Sequence, residues 1–376
     1  MKKNNDEVYE AETVAIISDY DTDSSQKAHF WSRRPKGENE EHHHGKNQLS
    51  SSTKKSMVTR IISAVVGLAI LVPSIFLGDW FYFALITFAL IVACHEILGC
   101  TNKRTFLTVV VYFLFVASIA YWPIFIKAST GIADSKIDVY YQKIYLPILV
   151  VTIGTFLVFF LTVIYKDFTV QDACFLIAMA VLVGFGFQCL FYLRYYPITL
   201  FKLTDSEAWK FSADNTIVPS LLLVFVIFST FMTDTGAYFV GVFFGKNKMN
   251  ERISPKKTWE GFVGGVIISF LLSSAFAILL SYFGYPLIPS LELEKGWYYI
   301  LILSAIIPIF ATLGDFVFSS IKRYWGIKDY GKLIPGHGGV LDRLDSIIFA
   351  VIITSIFVFM LSSVVDNGFN WEQFLV

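Results

Sequence analysis

Residues 260–283 read EGFVGGVIISFLLSSAFAILLSYF, a run of 24 residues whose only charged side chain is the first. A helix needs about 20 mostly apolar residues to cross the hydrocarbon core of a bilayer, so this run is long enough to span one. Comparable runs recur along the chain after Arg60, separated by short polar stretches. The nine runs lie near 60–77, 80–98, 105–125, 145–165, 172–193, 217–241, 260–283, 297–318 and 346–365. The pattern predicts an all-α fold, a polytopic integral membrane helical bundle with about nine transmembrane helices.

The composition supports the same class of protein. Hydrophobic residues make up 55% of the 376 residues, 37 residues are Phe, and only 16% are charged. These values are too apolar for an ordinary soluble chain of this length.

The N-terminal segment differs in kind from the rest. Asp, Glu, Ser, Lys and His dominate residues 1–58, and apolar periodicity is absent there. Such a segment cannot bury enough apolar surface to offset the entropy of ordering. We therefore expect residues 1–58 to form a disordered polar cytoplasmic tail and residues 59–376 to form a multi-span catalytic membrane domain. The tail lacks the features of a cleaved secretory signal, so the first span is expected to be retained as an anchor.

Lys and Arg are distributed unevenly between alternate loops, which predicts the orientation in the membrane. With a cytoplasmic N-terminus, the outer loops carry seven such residues and the inner loops carry thirteen. The thirteen are Lys103, Arg104, Lys166, Lys246, Lys248, Arg252, Lys256, Lys257, Lys322, Arg323, Lys328, Lys332 and Arg343. This asymmetry places the polar segments 245–258 and 319–346 on one cytoplasmic face.

Three carboxylates are the strongest candidates for chemistry on that face. Asp342 and Asp345 are three residues apart at the start of the last run, so on a helix they share a face. Asp315 lies near the cytoplasmic end of the eighth run, and intramembrane carboxylates are costly without a partner or a cation. A divalent cation such as Mg²⁺ would relieve their mutual repulsion. The alternative is that Asp345 caps a helix and Asp342 pairs with a nearby Lys or Arg.

The glycine-rich turn PGHGG at 335–339 precedes two of these carboxylates. Its backbone N–H groups could form an anion-binding concavity, although glycines between helices often serve only to turn the chain. His337 within the turn could donate to a phosphate or transfer a proton. Alternatively, His337 hydrogen-bonds a neighbouring carbonyl.

The segment around 231–258 supplies further candidates. Lys256 and Lys257 could neutralise a polyphosphate, or they could simply follow the bias of basic residues toward this side. Asp234 interrupts an apolar run and could orient substrate, bind a cation or pair with a basic residue on another helix. Gly236 would allow close helix approach. Glu96, at the inner end of the second run, is a candidate for the same roles as Asp234, but the signal is less specific.

Two blocks of sequence resemble a known family. Residues 319–345 contain S-x-K-R, K-D and P-G-H-G-G-x-x-D-R-x-D in order, and they follow DTGAYFVGVFFGK (234–246) and SPKKTWEGFVGG (254–265). Together they resemble the phosphatidate cytidylyltransferases, also called CDP-diacylglycerol synthases, over roughly residues 59–376. The residues of these motifs are more similar to those of the bacterial branch of this family than to those of the eukaryotic branch.

The resemblance implies that CTP and phosphatidate react to give CDP-diacylglycerol and pyrophosphate. It implies Mg²⁺ as cofactor, with K⁺ as a candidate second cation, and Asp315, Asp342 and Asp345 as metal ligands. Asp329 would ligate metal or position Lys328, and His337 is the remaining catalytic candidate. The residues assigned to substrate binding are Lys256, Lys257, Arg323, Lys328, Lys332, Gly338, Gly339, Arg343 and Asp234.

Two other functions are weighed against this one. A CTP-dependent lipid kinase would release CDP, and a secondary transporter should show internal repeats with broken helices, which the sequence lacks. The expected partners are CTP, phosphatidate and the lipid bilayer, with no nucleic acid and with a homodimer left open. The expected location is a bacterial cell membrane, or alternatively the endoplasmic reticulum, with the active site facing the cytoplasm.

Overall fold

A computed structural model describes residues 51–122, 136–195, 217–285, 287 and 298–367. These residues contain nine α-helices and one two-stranded hairpin. The helices are α1 (Ser51–Leu77), α2 (Asp79–Thr101), α3 (Phe106–Ala120), α4 (Lys136–Ile164), α5 (Val170–Tyr195), α6 (Ile217–Phe244), α7 (Trp259–Tyr282), α8 (Tyr298–Tyr324) and α9 (Leu341–Asn367). The strands are β1 (Lys248–Asn250) and β2 (Ser254–Thr258), between α6 and α7.

The helices confirm the predicted membrane class. Eight of the described helices are long and apolar enough to cross a membrane, and α3 is the shorter ninth with 15 residues. Each of the nine predicted runs corresponds to one of them. The third was expected to reach residue 125, but the described helix ends at Ala120, where Tyr121 N–H closes the last turn on Ala117 O at 2.9 Å.

Several helix boundaries differ from the predictions, and at the following three the helix continues through charged residues. The first helix begins at Ser51, so residues 51–58 of the predicted tail are helical, whereas residues 1–50 lie outside the described part. Helix α8 continues past residue 318 to Tyr324, with Lys322 and Arg323 in its last turn, where cations suit the helix dipole. Helix α9 begins at Leu341, with Asp342 in its first turn, where an anion is favoured.

The hairpin was not predicted and is a small departure from an all-α chain. Its antiparallel strands pair Lys248 with Thr258 and Asn250 with Ser254. The Glu260 carboxylate fixes its base by accepting N–H groups from Lys246 and Asn247, each at 3.1 Å. Strands of three and five residues rich in charge leave no apolar alternation that sequence could reveal.

Helices α6 and α7 approach each other closely through glycines, as Gly236 suggested. An added Cβ at Gly236 would lie 3.2 Å from the Cα of Gly265, and one at Gly261 would lie 3.1 Å from the Cα of Gly241. Small residues permit such contact between membrane helices. This packing fixes the hairpin, which joins the two helices, at one end of the bundle.

Candidate active site

Asp342 and Asp345 share one face of α9, as predicted, and both contact the same lysine, Lys322. The Lys322 ammonium lies 2.9 Å from Asp342 Oδ1 and 3.7 Å from Asp345 Oδ2. All three residues are buried, with Lys322 brought in from the last turn of α8. The pairing of Asp342 with a lysine, raised as an alternative from the sequence, is thus present in the structure.

Asp342 also organises the polypeptide that leads into α9. Its second oxygen, Oδ2, accepts the N–H groups of Tyr330 at 2.8 Å and Gly339 at 3.0 Å. The Tyr330 hydroxyl donates to Phe318 O at 3.1 Å, and burial raises the pKa of Tyr330, so the phenol keeps its proton. Asp342 therefore joins α8, α9 and the loop between them, residues 325–340, which we call the signature loop.

Asp315 meets a second lysine, which the hairpin supplies. The Lys257 ammonium forms an ion pair with Asp315 Oδ2 and lies 4.6 Å from the centroid of the Phe316 ring. The Ser319 hydroxyl donates to Asp315 Oδ1 at 3.1 Å. The pair is partly exposed, with 29% of the Lys257 side chain and 25% of the Asp315 side chain accessible. The segment 245–258 and helix α8 therefore meet at this ion pair, as the sequence predicted.

Asp234 completes what we call the carboxylate cluster, which comprises Asp234, Asp315, Asp342 and Asp345. Asp234 lies within electrostatic range of Asp315, Lys257 and Arg343, and Asp345 lies within range of Asp315, Lys322 and Arg343. The ammonium groups of Lys257 and Lys322 contact three of these carboxylates, those of Asp315, Asp342 and Asp345. Because three carboxylates share two contacting ammonium groups, a further cation could be accommodated among them.

The donor chemistry of this cluster fits Mg²⁺, although no complete ligand set is assembled. Within the described ranges, no three Asp, Glu, His or Cys side chains form a group that could hold a metal ion. Mg²⁺ nevertheless needs only one or two carboxylates together with water and substrate phosphates. The lysine between Asp342 and Asp345 shows that this position accommodates positive charge. The assignment of Asp315, Asp342 and Asp345 as metal ligands remains a prediction.

Glu96 has a larger role than the sequence indicated. Its buried carboxylate accepts the N–H groups of Val340 at 3.0 Å and Leu341 at 2.8 Å, at the start of α9. A side chain at Gly331 or Gly339 would collide with this carboxylate. Glu96 therefore holds both limbs of the signature loop against α2.

The glycine turn uses its amides internally. The N–H groups of His337 and Gly338 donate to Ile334 O at 2.9 and 3.1 Å, and that of Gly339 donates to Asp342. Gly336 and Gly338 have φ of +77° and +88°, which glycine tolerates readily. Three of the four N–H groups of the turn are thus engaged by acceptors of the chain itself. A substrate role for Gly338 and Gly339 remains a prediction.

His337 contacts the first helix. Its Nδ1 lies 2.7 Å from Ser63 Oγ, and that hydroxyl also lies 3.0 Å from Pro335 O. Burial lowers the pKa of His337, and the charges of Arg343 and Arg60 lower it further, so the ring is neutral at pH 7. Its catalytic role remains a prediction, and the contact that the structure shows fixes the turn to α1.

The remaining predicted residues lie around the cluster. Arg323 donates to Ile253 O at 3.4 Å and Ile327 O at 3.1 Å, which ties the hairpin to the end of α8. The exposed members of the predicted set are Asp234, Lys256, Arg323, Lys328, Asp329, Lys332 and Arg343.

The sequence does not single out Lys322 as a site residue, because there it is one of thirteen basic residues in the predicted inner loops. It stands seven residues after Asp315, a spacing that places both on one face of a helix if the helix continues that far.

Comparison with known proteins relates this site to one family. Residues 58–361 match the sequence model of the cytidylyltransferase family. A phosphatidate cytidylyltransferase of Bacillus subtilis is 41% identical over 119 residues, covering 32% of this chain and 40% of that protein. One from Staphylococcus epidermidis is 34% identical over 198 residues, covering 52% and 64% respectively. One from Staphylococcus haemolyticus is 30% identical over 296 residues, covering 78% and 96%.

These matches confirm the family resemblance that the motifs suggested. The matched region contains the entire carboxylate cluster and both of its lysines. The matches to the Bacillus subtilis and Staphylococcus epidermidis proteins span less than two thirds of those proteins.

Proposed function

Because the chain belongs to the cytidylyltransferase family, we propose that it is a phosphatidate cytidylyltransferase that makes CDP-diacylglycerol and pyrophosphate from CTP and phosphatidate. The observation that carries this proposal is the meeting of Asp315, Asp342 and Asp345 with Lys257 and Lys322 at one end of the bundle. The relatives from Bacillus subtilis and Staphylococcus haemolyticus, which are phosphatidate cytidylyltransferases by name, support the same reaction.

The reaction requires charge control and positioning more than covalent chemistry. A phosphate oxygen of phosphatidate forms a bond to the α-phosphorus of CTP as the bond to the pyrophosphate oxygen breaks. Asp315, Asp342 and Asp345 would hold Mg²⁺, with K⁺ as a candidate second cation. When bound, Mg²⁺ supplies a Lewis acid that neutralises charge on phosphate oxygens.

The chain's own groups set the geometry of this site. The exposed Lys256 is free of the close ion pair that its neighbour Lys257 makes with Asp315, and it is our candidate for contact with the CTP phosphates. The bonds of Glu96 and Asp342 to the backbone fix the loop, so the carboxylates are held in place before substrate arrives. Preorganised charge of this kind needs little rearrangement during the reaction.

Isotope position distinguishes this reaction from the kinase alternative. The purified protein is incubated with Mg²⁺, phosphatidate and CTP labelled with ³²P at either the α or the γ position. We expect α-label in the lipid product and γ-label in pyrophosphate. Transfer of γ-label to a lipid, with release of CDP, would instead identify a kinase, and no transfer to any lipid would remove the proposal.

We also propose that the site faces the cytoplasm of a bacterial cell. The predominance of Lys and Arg in alternate loops and the relatives from Bacillus and Staphylococcus support this orientation and location. In a variant lacking the four cysteines, Lys256→Cys and Phe283→Cys should be labelled from opposite sides by an impermeant maleimide. Labelling of Lys256→Cys in intact cells, with Phe283→Cys reacting only in inverted vesicles, would reverse the proposed orientation.

A further inference from the structure

A cavity of about 1110 Å³ lies between α2, α3 and residues 327–333 of the signature loop. Most of its lining is apolar. The apolar residues that α2 and α3 contribute include Ile91, Val92, Val109, Val110, Phe113 and Leu114. Leu114 and Ile91 are also 60% and 48% exposed on the outside of the bundle, so the groove adjoins the apolar surface that a bilayer would cover.

The basic end of the groove is the part lined by the connection between α2 and α3 and by the loop before α9. Arg104, Lys328 and Lys332 line it, and all three are exposed. The acidic residues of the lining are Asp329 and Glu96, and the Glu96 oxygens are already engaged by the amides of α9. The basic end therefore retains positive charge beside an apolar channel. This combination suits a ligand with a hydrocarbon chain and an anionic head.

The groove shares a wall with the carboxylate cluster. Tyr330 lines the groove while its backbone N–H donates to Asp342 Oδ2 at 2.8 Å. Glu96 also lines the groove, and its carboxylate accepts the N–H group of Leu341, the first residue of α9. A ligand seated at the basic end would consequently lie beside the loop that holds Asp342.

We propose that this groove binds phosphatidate, with an acyl chain along α2 and α3 and the phosphate monoester at Arg104, Lys328 and Lys332. This inference rests on the proposed function and deepens it, because it divides the basic residues between the two substrates. Lys328 and Lys332 are assigned to the lipid, together with Arg104, and the hairpin lysines remain for CTP. A phosphate monoester carries more charge than the diester of most membrane lipids, which favours it at three cations.

Direct labelling tests the groove without relying on turnover. Phosphatidate carrying a diazirine in one acyl chain is irradiated with the full-length protein in phosphatidylcholine vesicles. We expect cross-links within residues 91–114, and we expect unlabelled phosphatidate, but not added phosphatidylcholine, to suppress them. Cross-links confined to other helices, or suppressed equally by both lipids, would overturn the proposal.

Substitutions provide a second test, on the kinetics. The double variant Lys328→Gln, Lys332→Gln should raise KM for phosphatidate by about tenfold or more while leaving KM for CTP unchanged. Val110→Trp should lower labelling by filling the groove. The matched controls are Lys103→Gln and Leu107→Trp, which lie near the groove but do not line it. A rise in KM for CTP alone would assign these lysines to the nucleotide and refute the inference.

The two proposals fail in different ways. Specific labelling of the groove by a protein that makes no CDP-diacylglycerol would remove the proposed function and retain a phosphatidate site. Synthesis of CDP-diacylglycerol with labelling elsewhere would remove only the groove.

Discussion

Asp342→Asn, Asp345→Asn and Asp315→Asn will each lower turnover by at least about a hundredfold, an effect of the size seen when one preorganised electrostatic group is removed. Each change preserves the size of the side chain but deletes one charge from the carboxylate cluster. We expect the largest loss of turnover in Asp342→Asn, because one oxygen of Asp342 pairs with Lys322 while the other accepts the N–H groups of Tyr330 and Gly339. The measurement is the rate of CDP-diacylglycerol formation by protein of verified helical content.

Combined substitutions distinguish a unit from independent contributors. If the three carboxylates act together, the losses in double variants should fall well short of the product of the single losses. Asp172→Asn is the matched control, because Asp172 is buried and accepts from Thr169 at the start of α5 without joining the cluster. Near-normal turnover of both Asp342→Asn and Asp345→Asn at low Mg²⁺ would leave capping and ion pairing as their only roles.

Glu96→Gln should weaken both the fold and the activity. The amide group of Gln presents one acceptor oxygen where Glu96 presents two, so either Val340 or Leu341 loses its partner. A buried N–H left without a partner costs about 1–3 kcal/mol, and the resulting shift of the loop should lower turnover by about tenfold or more. Thermal unfolding in detergent and the turnover rate are the two measurements.

Glu251→Gln, at the exposed hairpin turn, controls for loss of a negative charge. If Glu96→Gln kept the unfolding temperature and turnover of the wild type, the hydrogen bonds from Val340 and Leu341 to Glu96 would be dispensable.

The sequence predicted the helices well because the membrane imposes a strong and simple requirement on length and apolarity. The same requirement predicts the ends of the helices less reliably. The predictions stopped the eighth run at residue 318 and began the ninth at 346, where charge appears, yet α8 reaches Tyr324 and α9 starts at Leu341. Lys322 and Asp342 belong to these extra turns, which explains why the sequence raised a basic partner for Asp342 but did not identify it as Lys322.

The candidate site was predictable where residues are close in sequence and less so where distant segments meet. The shared face of Asp342 and Asp345 follows from their spacing alone. The bonds from Glu96 to Val340 and Leu341 join positions more than 240 residues apart, and no local pattern encodes that pairing. In the glycine turn, three N–H groups that the sequence left without partners meet acceptors within the protein, and the role of the turn in substrate binding stays a prediction.

Binding of Mn²⁺, a paramagnetic substitute for Mg²⁺, tests most directly the claim that the carboxylate cluster holds a divalent cation beside CTP. Electron paramagnetic resonance would be recorded on the purified protein with CTP and without phosphatidate, so that no turnover intervenes. The account predicts that wild-type protein binds Mn²⁺ in the presence of CTP and that Asp342→Asn and Asp345→Asn each weaken this binding by about tenfold or more. Unchanged Mn²⁺ affinity in both folded variants would contradict the metal site and the mechanism built on it.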